Sequence, residues 1–187
     1  EKNIDEITNL TPSYNKLIIS FDLTKTNFAK LKKIIENIDI NNVKEDPSKN
    51  IEIPVCCDES FSLDIKRLED KLSLSRDQIF EKFFNKKYFC YMTGFIAGMP
   101  FVGDLDQDIR TKRLETPRVK VPKGAVAITE QFANIYTYES PGGWNIIGNT
   151  PLEIFDSKKE NNPNLVNPGD TISFKQINIQ TYKKYND

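Results

Sequence analysis

The chain has 187 residues, enough for one large domain or two small ones with a sizeable core. With 38% apolar and 11% aromatic residues, it is not the composition of a disordered chain. Lysine and arginine (26) nearly balance aspartate and glutamate (27), and a net charge of −1 leaves no electrostatic footprint for nucleic acid or an anionic membrane.

In chain order, "KLIISFD" (16–22) predicts a short apolar strand. "KTNFAKLKKIIENI" (25–38) predicts a helix, because Phe28, Leu31, Ile35 and Ile38 recur at helical spacing with lysines on the other face. The polar stretch "IDINNVKEDPSKN" (38–50) reads as a linker, and "IEIPV" (51–55) alternates as a strand does. "SFSLDIKRLEDKL" (60–72) predicts a helix starting near Ser62, with Ile65, Leu68 and Leu72 inward. "SRDQIFEKFF" (75–84) opens with the capping-box pair Ser75 and Gln78, and its Phe80, Phe83 and Phe84 belong to the core.

Beyond this point the language changes. All eight glycines lie between Gly94 and Gly169, and seven of the ten prolines lie between Pro100 and Pro168. Strands are predicted near 88–93, 125–129, 134–138, 144–148 and 171–177, joined by Pro/Gly turns, which is the pattern of a sandwich or closed barrel. In "SPGGWNIIGNTPLEIFD" (140–156), Gly142 and Gly143 read as turn glycines, and Trp144, the one tryptophan, as a buried anchor at a strand start.

Histidine is absent altogether, which removes Ser-His-Asp triads, Cys-His dyads and histidine metal sites together. Proton transfer would fall to a carboxylate, lysine, tyrosine, cysteine or water. Cys56, Cys57 and Cys90 are odd in number and lack C-x-x-C spacing, which points to a reduced, cytoplasmic protein with no metal site. Adjacent Cys56 and Cys57 on a strand should face opposite ways, one of them into the core. No apolar run approaches the roughly 18 residues of a membrane span. Arg118 and Lys123 flank "VKVP" and read either as cations for a carboxylate or phosphate or as solvated strand-end charges. Tyr136 is either a cleft phenol or a core residue, and Ser140 either a turn residue or a nucleophile without a base. Asp156 reads as a site acid, a cap or a turn residue.

The ordered set "LTPSYNKLIISFD" (10–22), "IPVC" (53–56), "GFIAGMPFVGDL" (94–105), "PRVKVPKGAVAI" (117–128), "SPGGWNIIGNTPLEIFD" (140–156) and "NPGDTISF" (167–174) resembles one family. That family contains allophanate hydrolase subunit 1, the B component of bacterial 5-oxoprolinase and the sporulation-kinase inhibitor of bacilli. The resemblance covers essentially the whole chain. It implies an α+β, mainly β fold: a small α+β N-terminal domain (1–48), here lacking its first strand and helix, then a cyclophilin-like β-barrel (49–187). Several polar family positions are altered: the family's histidine stands at Phe83, its glutamine and threonine at Phe132 and Ala133, and its arginine at Asn149.

Two functions follow from the resemblance. One is a subunit of a heteromeric ATP-dependent amide or lactam hydrolase, inactive alone, whose other subunits bind ATP and magnesium while this chain binds no cofactor. The other is a non-catalytic module that regulates a partner such as a histidine kinase. The resemblance implies a larger partner, like the C component of 5-oxoprolinase or allophanate hydrolase subunit 2, with a third subunit or a histidine kinase as a further partner. The loops carrying Phe95, Met99, Phe101, Pro141, Gly142 and Gly143, rich in aromatics and rigid Pro/Gly turns, are the expected docking face. Arg118, Lys123 and Tyr136 would line the shared substrate cleft. No catalytic residue is assigned.

Overall fold

The computed structural model describes residues 4–39 and 48–185, so most of the expected linker lies outside the described residues. The chain divides into two compact units, residues 1–47 and 48–187.

The first unit holds an antiparallel hairpin of β1 (Ile7–Ser13) and β2 (Lys16–Phe21), followed by α1 (Phe28–Glu36). Tyr14 turns the hairpin with a positive φ of 52°. Asn27 caps α1, its side-chain oxygen accepting from the Lys30 N–H, so the helix starts at the first periodic apolar residue, Phe28, three residues after the predicted segment begins.

The second unit is a seven-stranded closed barrel. Its strands are β3 (Asn50–Cys56), β4 (Lys87–Thr93), β5 (Pro100–Gly103), β7 (Ala125–Thr129), β8 (Phe132–Ile135), β10 (Asn145–Asn149) and β11 (Thr171–Ile177), running around the barrel as β10-β3-β11-β4-β5-β8-β7. β3 and β11 pair in parallel, Thr171 opposite Asn50 through Ile177 opposite Cys56, while the remaining neighbours are antiparallel. The short strands β6 (Arg118–Val121) and β9 (Ser140–Gly142) form a separate two-stranded ribbon.

Among the described residues, three α-helices complete the unit: α2 (Ile65–Leu72), α3 (Arg76–Phe84) and α4 (Ile179–Lys183). α2 begins later than expected because Asp58 to Asp64 form turns, with Ser60 and Ser62 bonded back to Asp58. α3 has the complete capping box: Ser75 accepts from the Gln78 N–H and Gln78 Oε1 accepts from the Ser75 N–H. Its Phe83 ring stacks on Phe174 of β11 at 4.8 Å, which ties the helix to the barrel.

Two apolar clusters form, and strand alternation separates them. On β7, Val126 and Ile128 enter the main core while Ala125 and Ala127 face a second cluster. β10 divides in the same way, Ile147 to the core and Ile146 to the second cluster. Trp144 is 9% exposed and sits in that second cluster with Met99, Val121 and Tyr136. The indole is therefore buried as expected but does not organise the barrel interior, which is filled by residues such as Ile53, Leu68, Phe83 and Tyr88. Cys56 and Cys57 are both buried: Cys57 lies in the main core, and Cys56 lies on the other face of β3, within electrostatic reach of Tyr182 on α4. All three cysteines are free thiols. Among the described residues, no helix is long and apolar enough to cross a membrane.

Candidate functional site

A pocket of about 330 Å³ opens over the second cluster. Its wall is apolar and aromatic: Phe95, Met99, Phe101, Tyr136 and Trp144, with Phe101 set edge-on to the indole at 5.5 Å. Pro117, Pro141 and Arg113 line it as exposed residues, while Asn134 and Gly143 line it as buried ones. All six residues expected at the partner face thus meet at one pocket, together with Tyr136. Their exposure differs. Phe95 is 71% exposed, whereas Met99, expected near the surface, is 1% exposed because it packs into the second cluster.

Gly142 is not a turn glycine. It lies in β9 opposite Arg118 of β6, and a Cβ there would overlap the hydroxyl of Tyr136. Glycine is required because the phenol runs directly against the β9 backbone. Burial pushes the Tyr136 pKa up, opposed by the neighbouring Asn134 amide and by the charges of Arg113 and Arg118.

Asn134 owes its place to alternation on β8: Ala133 and Ile135 point into the barrel core, so Asn134 and Tyr136 turn outward to the pocket. The Asn134 residue is 1% exposed, yet neither its Oδ1 nor its Nδ2 completes a hydrogen bond among the described residues. Its amide is a hydrogen-bonding neighbour of the Tyr136 hydroxyl and lowers the phenol's pKa, but the contact is too poorly formed to satisfy the amide. The period-two string "FANIY" held this signal, since Asn134 shares a face with Tyr136. Arg113 and Pro117 carried no comparable signal, because they come from the irregular segment before β6.

Arg118 and Lys123 are placed elsewhere. Arg118 Nη2 donates to Oδ1 of Asp64 at 2.7 Å, and Oδ2 of Asp64 accepts from the Ile146 N–H at 2.7 Å. Arg118 is thereby neither a solvated strand end nor a wall of the pocket. It ties the ribbon to the base of α2. Lys123 lines a different depression, its Nζ 2.6 Å from Glu153 Oε1 and its ammonium over the Tyr138 ring. The structure therefore does not gather Arg118, Lys123 and Tyr136 into one cleft. Lys123 stands beside Gly124, whose φ of +80° closes the turn into β7. Asn149 acts structurally, donating to the Lys123 carbonyl at 2.9 Å and accepting from the Tyr182 hydroxyl at 2.7 Å.

Asp156, in turn, accepts from the Lys158 N–H within its own turn, as a turn residue does. Ser140 Oγ is buried without a hydrogen-bond partner, with no base beside it among the described residues. Among those residues, no three histidine, cysteine, aspartate or glutamate side chains gather as metal ligands.

A closed barrel with one parallel pair, an external ribbon and a pocket lined by both is a cyclophilin-like β-barrel domain. The sequence profile described as carboxyltransferase domain, subdomain C and D, matches residues 1–166, and the chain belongs to that family, which includes the B component of 5-oxoprolinase. The chain is 33% identical to the 5-oxoprolinase B component of Bacillus subtilis (strain 168) over 158 residues, covering 84% of this chain and 63% of that protein. It spans about three-fifths of the curated relatives it matches, at 63%, 62% and 59% of their lengths. Among solved structures, a conserved uncharacterized protein from Pyrococcus horikoshii is 34% identical with a TM-score of 0.69, covering 97% of this chain and 83% of that one. The urea carboxylase of Kluyveromyces lactis, 21% identical over 96% of this chain and 19% of its own, superposes with a TM-score of 0.76 and shares the fold.

Proposed function

We propose that this chain is part of a cytoplasmic subunit of an ATP-dependent hydrolase that opens the lactam of 5-oxoproline, and that it works only in complex with a larger partner subunit. The observation that carries this reading is the match to 5-oxoprolinase B components at 33–36% identity over 70–84% of this chain. In this reading the pocket holds the reacting amide against the barrel wall. The partner closes its mouth over Phe95 and Pro141, the two most outward of the expected contact residues. ATP and magnesium belong to other subunits. The barrel supplies shape and positioning, which suits a pocket with an apolar wall and no histidine.

The test is reconstitution. The purified chain, incubated with 5-oxoproline, ATP and magnesium, should form no glutamate, while the chain co-purified with its neighbouring larger subunit and the third subunit should form it. Glutamate from the chain alone would remove the partner requirement. An assembly that forms but makes no glutamate would remove the enzyme and leave the binding-module reading.

A further inference from the structure

The pocket contains one feature that the hydrolase reading does not use. Asn134 buries a whole carboxamide in a largely apolar wall and leaves both its ends unpaired among the described residues. A buried amide without partners is costly, and a carboxamide carries two donor hydrogens and two acceptor lone pairs. The poorly formed contact with the adjacent Tyr136 hydroxyl can serve one end of it at most and leaves the other without a partner. The group complementary to a carboxamide edge is another planar amide, whose carbonyl takes the Nδ2 hydrogens while its N–H meets Oδ1. A second unpaired group lines the same pocket: Arg113 is exposed and makes no salt bridge to any described carboxylate.

We propose that Asn134 is a specificity-determining residue of this pocket, reading the amide edge of a small lactam acid while Arg113 takes the ligand's carboxylate. This rests on the reading of the pocket as the substrate side of a lactam hydrolase and assigns the two recognition contacts within it. A volume of about 330 Å³ accommodates one small ring with its substituent, and the Trp144, Phe101 and Met99 wall takes the ring's apolar faces. Asn134 touches the ligand and performs no proton transfer. Because its polar ends are unpaired without ligand, the residue should lower the stability of the free protein, a common cost of recognition groups.

Trp144 is the one tryptophan in the chain and lines the pocket, so its fluorescence reports occupancy directly. The full chain is titrated with three probes: 5-oxoproline (lactam and carboxylate), 2-pyrrolidinone (lactam alone) and cyclopentanecarboxylate (carboxylate alone). Asn134→Leu should weaken 5-oxoproline and 2-pyrrolidinone by about ten-fold and leave cyclopentanecarboxylate unchanged. Arg113→Gln should weaken the two carboxylates and leave 2-pyrrolidinone unchanged. Asn134→Leu should also raise the melting temperature, because a near-isosteric apolar group replaces unpaired polar atoms.

Unchanged binding of all three probes in Asn134→Leu would overturn the proposal, as would a wild-type chain that binds no lactam. Asn134→Ala, which adds no bulk, gives the same readout if the leucine variant does not fold. Glutamate formation by the full assembly separates the two ideas. Equal turnover with Asn134→Leu would sink the specificity role and keep the enzyme, while lactam-selective binding in an inactive assembly would do the reverse.

Discussion

Arg118 on the β6–β9 ribbon and Asp64 at the start of α2 are joined by a 2.7 Å charge-assisted hydrogen bond, and the residue Asp64 is only 4% exposed. The same carboxylate accepts the Ile146 N–H, so one buried acid ties helix, ribbon and barrel strand together. Removing the arginine would leave that carboxylate enclosed without its counter-charge. Arg118→Gln should therefore destabilise the fold by about 2–4 kcal/mol, somewhat below the cost for a fully buried pair because the guanidinium is partly exposed. Urea unfolding checks this. A variant within about 0.5 kcal/mol of wild type, a bound set by what surface substitutions usually cost, would show the pair to be incidental.

Gly142 and Tyr136 form a second coupled pair. Gly142→Ala should cost about 1–3 kcal/mol, since its methyl would displace the phenol hydroxyl. Tyr136→Phe removes the closest of the clashing atoms, leaving ring Cζ at 2.8 Å, so the double variant should be more stable than the sum of the single effects predicts. Additive losses in the four-protein cycle would mean that the close approach carries no energy.

Trp144→Ala should destabilise by about 3–5 kcal/mol through the cavity it leaves between Phe101, Met99 and Tyr136. The loss should appear as a lower denaturation midpoint with an unchanged slope, because the barrel core is built from other residues. An unaltered melting curve would contradict the burial of the indole.

Burial raises the thiols of Cys57 and Cys90 from 9.0 to about 12. Above pH 9 the unfolded chain releases these protons while the folded chain keeps them, so stability falls as pH rises. Each thiol should contribute a slope of up to about 1.4 kcal/mol per pH unit between 9 and 12. The raised Tyr136 phenol adds in the same sense above its ordinary value of 10.0. Cys57→Ala and Cys90→Ala should each flatten the alkaline limb of stability against pH, measured by denaturant midpoint. An equally steep limb in both variants would assign the loss to other groups.

At the mouth of the pocket, Phe95→Asp should abolish co-elution with the larger subunit while leaving the melting temperature of the chain within about 2 °C, a range set by the small effect of surface substitutions. Met99→Asp is no equivalent probe, because Met99 is buried and its charged variant would unfold the second cluster. Co-elution of Phe95→Asp at the wild-type ratio would move the docking face elsewhere.

Sequence alone determined the local elements and the family. The Ser75 capping box, the core placement of Phe80 and Phe83 and the inward alternation of Ile51, Ile53 and Val55 act over a few residues and stand in the structure as read. The Pro/Gly punctuation holds at Gly124 but not at Gly142, which lies in β9. β1 escaped that reading because its mostly exposed "ITNLTPS" carries no apolar period, and β5, β6 and β9 because three or four residues show little period unless, as in the equally short β8, the alternation runs on into its neighbours. Which residues share a pocket is set by barrel closure and by the ribbon folding back on it, and those contacts join positions far apart in the chain. Arg118 and Lys123 lie five residues apart, yet one turns to Asp64 and the other to Glu153, a choice made by partners that no local pattern names. Gly142 looked like turn chemistry, but the Tyr136 hydroxyl six residues back is what excludes a side chain there. Asn134 stands between the two cases. Its alternation with Ala133 and Ile135 fixed which way it points, while only the closed barrel and its ribbon decided that it points into a pocket rather than into water.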